Sequence, residues 1–128
     1  MTMTLERATQ LHFMEPLPGF GDEDSYTLTA IDPDGVLFSL RSAKHPEVRF
    51  VLTPARAFFD DYEPDVSGAL PGSDVEVLVM LTLGSGLADA TANLRAPIAV
   101  SASAGQAVQV ILEDATLPMR RPLLAAAA

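Results

Sequence analysis

Short runs rich in valine, isoleucine, leucine, threonine and phenylalanine follow one another along the chain, separated by turn signals. Those signals include Asp34-Gly35, Pro71-Gly72 and Ala104-Gly105. Most of the runs are too short, too β-branched and too often interrupted by glycine or proline to form helices. The pattern therefore predicts strands over residues 10–13, 26–31, 36–41, 49–52, 75–83, 97–103 and 107–113.

Three features of this pattern bear on the architecture. Residues 75–83 are apolar at nearly every position, which is typical of a strand buried on both faces, so we place it centrally. The sequence Asp-Pro-Asp-Gly at 32–35 predicts a hairpin between the second and third strands. At most one helical turn fits, near residues 55–59. The pattern predicts an all-β sandwich or barrel with short loops, in one domain over 1–128 whose ends at 1–9 and 125–128 are frayed.

Charge and composition narrow the function classes. The 128-residue chain has a formal net charge of −9, and Lys44 is its only lysine. Without a cluster of lysines and arginines, we do not expect direct binding of nucleic acid. An acidic surface favours a basic partner, and solubility alone is the competing explanation for the charge. Because the chain has no cysteine, disulfides, thiolate nucleophiles and cysteine-ligated metal sites are excluded.

The sequence predicts no membrane span, export signal or cofactor site. No apolar run reaches the roughly 18–20 residues that cross a bilayer. The N-terminus lacks the basic and apolar regions of a signal peptide. Gly84-Ser85-Gly86 lacks the following helix and lysine of a phosphate-binding loop. We therefore expect a cytoplasmic protein with no cofactor and no membrane partner.

Catalytic chemistry has little support in the sequence. His12 and His45, the only histidines, lie in separate segments, whereas a nucleophilic triad needs a nucleophile, a base and an acid in contact. Glu113 and Asp114 are adjacent on a predicted strand, so they should face opposite ways and form its polar end rather than an acid–base pair. We expect a protein that is not an enzyme.

Residues 58–65, with sequence Phe-Phe-Asp-Asp-Tyr-Glu-Pro-Asp, combine aromatic side chains with carboxylates. A tyrosine and a proline interrupt the alternation of oxygen ligands that calcium loops require, so the pattern favours a solvated acidic loop over a metal site. Aromatic anchors with a charged rim suit protein docking. The competing interpretation places both phenylalanines in the core, and we expect one in and one out. We assign the partner-binding surface to Phe58, Phe59, Asp60, Asp61, Tyr62, Glu63 and Asp65.

Asn93 and Arg95 form a second candidate pair for partner binding, at the start of the segment that leads into the sixth predicted strand. Both residues also have a structural interpretation. An asparagine before a strand commonly accepts a hydrogen bond from its own turn. Arg95 could equally pair with a neighbouring acid.

Six segments along the chain form an ordered set of motifs. The most specific are TANLRAPIAVS at 91–101 and GQAVQVILED at 105–114, followed by RRPL at 120–123. The earlier ones are LPGF at 17–20, FVLTPARAFFDDYEPDV at 50–66 and DVEVLVMLTL at 74–83. Together they closely resemble the FliW family of flagellar assembly factors, over roughly residues 11–124. The stretch after Tyr62 is contracted where the resemblance implies a longer acidic helix.

The resemblance implies a small, mostly antiparallel β-barrel or pseudo-barrel that binds proteins and catalyses no reaction. FliW-like proteins switch between cytoplasmic flagellin and CsrA, a small basic dimer that binds mRNA and represses flagellin translation. Export of flagellin frees the FliW-like protein to bind CsrA and relieve the repression. The alternative is a generic acidic β-barrel that chaperones flagellin or another protein without CsrA. We expect a monomer when no partner is bound.

Overall fold

The computed structural model describes residues 8–17, 21, 23–66, 68–70, 75–84, 87–114 and 116–123. Nearly all of the regular structure in this part of the chain is β-strand. Two 3₁₀ turns, at Ala55–Ala57 and Leu87–Asp89, are the helical elements described. The strands are β1 (Ala8–Phe13), β2 (Ser25–Ala30), β3 (Phe38–Ser42), β4 (Arg49–Pro54), β5 (Val75–Thr82), β6 (Thr91–Ala92), β7 (Ile98–Ser101), β8 (Gln106–Gln109) and β9 (Arg121–Pro122).

Seven of these strands close into a barrel. The sheet runs in the order β4-β3-β2-β1-β8-β7-β5, and a further pairing of β4 with β5 closes it. The pairing of β1 with β8 is parallel, whereas the other pairings described are antiparallel. Short β6 pairs with β5 and carries β9 at its outer edge. The expected small, mostly antiparallel barrel is confirmed.

The barrel interior is filled by alternate side chains from the closing strands. Tyr26 stacks edge-on against Phe13, with ring centroids 5.1 Å apart. Because successive residues of a strand face opposite ways, every second residue can enter the interior. The fully buried interior residues include Tyr26, Leu28, Leu40, Leu52, Leu78, Ile98 and Val100.

Strand β5 is buried on both faces, as its almost continuous apolar sequence predicts. Leu78 belongs to the interior cluster, while its neighbour Val79 belongs to a second cluster outside the barrel wall. Both side chains are 0% exposed. The second cluster includes Phe59 and Leu123, so the segment after β4 and the chain around Leu123 cover the outer face of β5. Phe58, Phe59 and Tyr62 belong to or pack against this outer cluster, so segment 58–62 lies on the outer wall of the barrel.

The hairpin predicted at residues 32–35 forms, but β3 begins two residues later than predicted. The backbone amides of Val36 and Leu37 donate to Oδ1 of Asp32 at 2.9 and 2.8 Å. Because these two amides cap the turn, they are withdrawn from the ladder between β2 and β3. The regular pairing starts at Phe38, opposite Ala30.

The last long strand is shorter than predicted. β8 ends at Gln109 rather than at Glu113. The amide of Val110 still donates to the carbonyl of Pro97 at 2.9 Å, and that of Leu112 donates to Arg95 at 2.8 Å. Proline has no amide with which to return the bond, so the ladder becomes one-sided and residues 110–114 leave the sheet. The prediction that Glu113 ends a strand is wrong.

The remaining sequence predictions fare unevenly. The helical turn near 55–59 is confirmed as the 3₁₀ turn Ala55–Ala57, but the 3₁₀ turn Leu87–Asp89 is a second one, where at most one was expected. Ala8 and Thr9, which were expected to be frayed, begin β1. The remaining residues of the predicted frayed ends, 1–7 and 125–128, lie outside the described residues. Strands β6 and β9 were not predicted, because two-residue strands give no detectable alternation.

Candidate partner-binding surface

The aromatic residues of segment 58–62 hold this segment against the barrel. Phe59 is 3% exposed and packs in the outer cluster beneath the guanidinium of Arg121, which lies 5.1 Å from the ring centroid. Phe58 is half-buried against the same cluster, 6.4 Å from the Phe59 ring. The hydroxyl of Tyr62 donates to the carbonyl of Leu94. One phenylalanine is fully buried and the other only in part, so Phe59 is a core residue and not a surface anchor.

The acids of the same segment face solvent. Asp60, Asp61, Glu63 and Asp65 are all exposed. Three of them border a groove of about 420 Å³, which we call the acidic groove. Its lining consists of Asp61, Tyr62, Glu63, Pro64, Asp65, Leu112, Glu113, Asp114 and Leu117. Among these described residues five carry a carboxylate and none carries a cationic side chain.

Glu113 and Asp114 also line the acidic groove, although their sequence pattern predicts only the polar end of a strand. At the end of a strand these two neighbours would face opposite ways, but β8 ends at Gln109 and both residues line the acidic groove. The signal that could have found this was Pro97, which interrupts the ladder opposite Val110. Two carboxylates are thereby added to those of the segment at 60–65.

Asn93 and Arg95 do not border the acidic groove. Oδ1 of Asn93 accepts the backbone amide of Arg95 at 3.0 Å, which is the structural role weighed for this asparagine. Nε of Arg95 donates to the carbonyl of Leu117 at 3.1 Å. Both residues line a different depression, so the structure separates the two sets of predicted site residues.

That depression, the apolar pocket, has a volume of about 350 Å³ and borders the interior cluster of the barrel. Leu17 belongs to the interior cluster, and Phe50 and Met80 pack against it. Ile111 and Met119 lie at the rim and are 61% and 55% exposed. The apolar lining consists of Leu17, Phe50, Met80, Ala96, Ile111 and Met119, and Asn93, Arg95 and Gln109 complete it. A large apolar pocket open to solvent is typical of a site that binds a partner or ligand.

The two depressions share a wall, which we call the dividing segment, residues 110–114 and 116–119. Ile111 and Met119 line the apolar pocket, whereas Leu112 and Leu117 line the acidic groove. Four hydrogen bonds attach this segment to residues 94–97: the three already described between Val110 and Pro97, Leu112 and Arg95, and Arg95 and Leu117, and one from the amide of Leu94 to the carbonyl of Pro118 at 3.0 Å. The apolar pocket and the acidic groove are therefore neighbouring parts of one face.

The electrostatics of this face follow from its hydrogen bonds and burial. Asp114 accepts the amide and the hydroxyl of Thr116, and these bonds, with a smaller contribution from Arg95, lower the pKa of Asp114. Burial raises the pKa of Tyr62 to about 12. Asp114 thus keeps its negative charge at neutral pH, and Tyr62 remains a neutral hydrogen-bond donor.

Other titratable groups have structural partners. His12 lies 3.7 Å from Asp24, and His45 lies 3.9 Å from Glu47, all of them on the surface. Buried Glu23 accepts the hydroxyl of Ser42 and the amides of Ser25 and Lys44, and chiefly the bond from Ser42 lowers its pKa to about 2. Within the part of the chain that the structure describes, no group of three or more histidine, aspartate or glutamate side chains could hold a metal ion.

No described helix is long and apolar enough to cross a membrane.

Comparison with known proteins identifies the family. The family model described as FliW protein matches residues 1–123. The chain belongs to the FliW family. A flagellar assembly factor FliW of Bacillus velezensis is 34% identical over 113 residues, covering 83% of this chain and 79% of that protein. The flagellar assembly factor FliW of Bacillus pumilus is 32% identical over 117 residues, covering 86% of this chain and 81% of its own length.

A solved FliW structure has the same fold. The crystal structure of the flagellar assembly factor FliW superposes with a TM-score of 0.81 at 28% identity, over 94% of this chain and 89% of that one. In this FliW chain, residues 62–66 carry no helix, although the resemblance implies an acidic helix after the tyrosine. The acids of this segment are presented from an irregular chain that the aromatic residues anchor.

Proposed function

We propose that this FliW chain is a non-catalytic flagellar assembly factor that binds flagellin and, by partner switching, CsrA. The proposal places the protein in the cytoplasm, as a monomer when no partner is bound. Its support is the family membership together with one observation, an open apolar pocket beside an acidic groove. Family names give the assembly role, and the chemistry of this face suits two different protein partners.

The apolar pocket suits flagellin. Before assembly, flagellin presents amphipathic segments whose apolar faces have no partner. Such a segment gains free energy when its apolar side chains leave water, and Ile111 and Met119 offer apolar surface at the rim. Methionine adapts its shape to different side chains, which favours binding of more than one sequence.

The acidic groove suits CsrA, which is basic because it binds RNA. Opposite charges accelerate the encounter of two proteins, and carboxylates repel the phosphates of an RNA that competes for the same surface. Asp61, Glu63 and Asp65 from one segment line the groove together with Glu113 and Asp114 from the other. This arrangement concentrates negative charge on one face.

Calorimetric titration of this protein against flagellin monomer and against CsrA, each alone and then in competition, tests the proposal. We expect both proteins to bind and to displace each other. Binding of flagellin without CsrA would support the narrower role of a flagellin chaperone, for which the contraction of the segment after Tyr62 is the specific reason. Binding of neither protein would overturn the proposal.

Charge reversal tests the acids of segment 60–63 separately, two of which line the acidic groove. We expect Asp60→Lys, Asp61→Lys and Glu63→Lys together to slow association with CsrA by about tenfold at low salt, because steering depends on the field of the whole face. The fold should remain intact, since all three side chains are exposed. Stopped-flow association kinetics give the rate, and circular dichroism controls for folding. An unchanged rate at low salt would refute this site assignment.

A further inference from the structure

The wall between the two depressions places apolar and acidic surface within the reach of one partner element. Ile111 faces the apolar pocket, and the next residue, Leu112, faces the acidic groove. Met119 and Leu117 repeat this division at the other end of the dividing segment. A partner that covers the segment therefore touches both depressions.

The guanidinium of Arg95 is already engaged with groups of the dividing segment. Its Nε donates to the carbonyl of Leu117, and its charge lies close enough to Asp114 to lower the pKa of that carboxyl. Among the described residues that line the two depressions, Arg95 is the one with a cationic side chain, whereas Asp61, Glu63, Asp65, Glu113 and Asp114 carry carboxylates. The residues that line the two depressions therefore carry a net negative formal charge.

We propose that the apolar pocket receives the apolar stripe of a cationic amphipathic helix from the protein partner, while the acidic groove binds the lysines or arginines of that helix. This inference rests on the proposed function. An α-helix is about 10–12 Å across, side chains included, and presents different side chains along its two sides, so one helix can contact both sides of a single segment. Long cationic side chains lie along apolar surface and place their charge beyond it. An anionic amphipathic helix offers the same apolar stripe and is repelled.

Three synthetic peptides of about 18 residues, or about five helical turns, test this occupant on the full chain. The first is a leucine–lysine peptide with its leucines on one helical face. The second replaces its lysines by glutamates, and the third scrambles the first so that the stripe is lost. By calorimetry we expect the first peptide to bind at least tenfold more tightly than either of the others, with an affinity that falls as salt increases.

Matched variants locate the peptide. We expect Ile111→Ser combined with Met119→Ser to weaken binding of the leucine–lysine peptide at least tenfold. Ile31→Ser is the control, because Ile31 is 52% exposed and does not line the apolar pocket. Asp61→Asn, Glu63→Gln and Glu113→Gln together should weaken binding and reduce its salt dependence. Thermal unfolding of each variant establishes that it is folded.

Specific outcomes overturn the inference. Equal binding of the striped and scrambled peptides would reduce the interaction to charge attraction, and equal binding of the leucine–glutamate peptide would remove the acidic groove from it. Unchanged binding by the Ile111 and Met119 variant would place the helix elsewhere. If flagellin and CsrA bind but the striped peptide does not, this inference fails and the proposed function stands. If the peptide binds and neither protein does, the surface stands and the proposed function fails.

Discussion

Two segments on the same face of the molecule use apolar side chains in opposite ways. In segment 58–62, the large side chains turn inward, with Phe59 only 3% exposed and the Tyr62 hydroxyl bonded to Leu94. In the dividing segment, Ile111 and Met119 turn outward and are more than half exposed. The first segment is fixed by its apolar residues, whereas the second offers them to solvent.

The difference shows that residue type alone does not identify a docking anchor. Aromatic residues beside acids look like a binding site, yet here they secure a segment without regular secondary structure to the outer wall of the barrel. The dividing segment is secured by its backbone and by Arg95, so its apolar side chains are not needed for that purpose. We therefore expect a binding surface where a segment is held to the barrel by backbone hydrogen bonds, because its apolar side chains then remain available to a partner.

The largest expected effect is on the free energy of unfolding, from substitution of the buried Phe59. Phe59→Ala should lower the free energy of unfolding by about 3 kcal/mol, because it leaves a cavity in the outer cluster. Phe58→Ala is the matched control and should cost roughly half as much, since Phe58 is only half-buried. Urea denaturation followed by circular dichroism measures both. Equal losses would remove the distinction between the two phenylalanines.

A smaller effect on the free energy of unfolding is expected from substitution of Tyr62. Tyr62→Phe removes the bond to Leu94 and should lower the free energy of unfolding by about 1 kcal/mol at neutral pH. The folded protein raises the pKa of Tyr62 from 10.0 to about 12, so the stability linked to this proton is present below pH 10 and is lost as the pH rises from 10 to 12.

Denaturation midpoints measured from pH 7 to 12 show how the contribution of the Tyr62 hydroxyl to stability depends on its protonation. The difference between the original protein and Tyr62→Phe should shrink above pH 10. Tyr26, the other tyrosine, is present in both proteins and cancels in the difference. A difference that stays constant up to pH 12 would show that the Tyr62 hydroxyl is not held by the fold.

The smallest effect on global stability is expected from Arg95. Arg95→Met keeps the apolar stem and removes the donor to Leu117, so the free energy of unfolding should fall by less than about 1 kcal/mol. The loss should be local, with faster amide exchange at Leu117 and a higher pKa of Asp114, both measurable by NMR. Arg41→Met on exposed strand surface is the control. Unchanged exchange at Leu117 would mean that Arg95 does not secure the dividing segment.

Much of the barrel could be read from local patterns. The almost continuous apolar run at 75–83 identified β5 as a strand with two buried faces, because only such a strand tolerates apolar residues at consecutive positions. Turn signals located the hairpin at 32–35. The family motifs at 91–101 and 105–114 led to the FliW resemblance, which the match over residues 1–123 bears out. The site predictions depended instead on side-chain direction, which local patterns determined less well.

What the sequence by itself determined was the seven strands of the barrel, the acidic charge and the family. Only the tertiary structure decided which residues share a surface. The one-sided bonding opposite Pro97 releases residues 110–114 from the sheet, and this brings Glu113 and Asp114 beside Asp61 and Glu63. The physical reason is that a strand's period fixes which residues alternate, whereas contacts between distant segments depend on where each ladder stops.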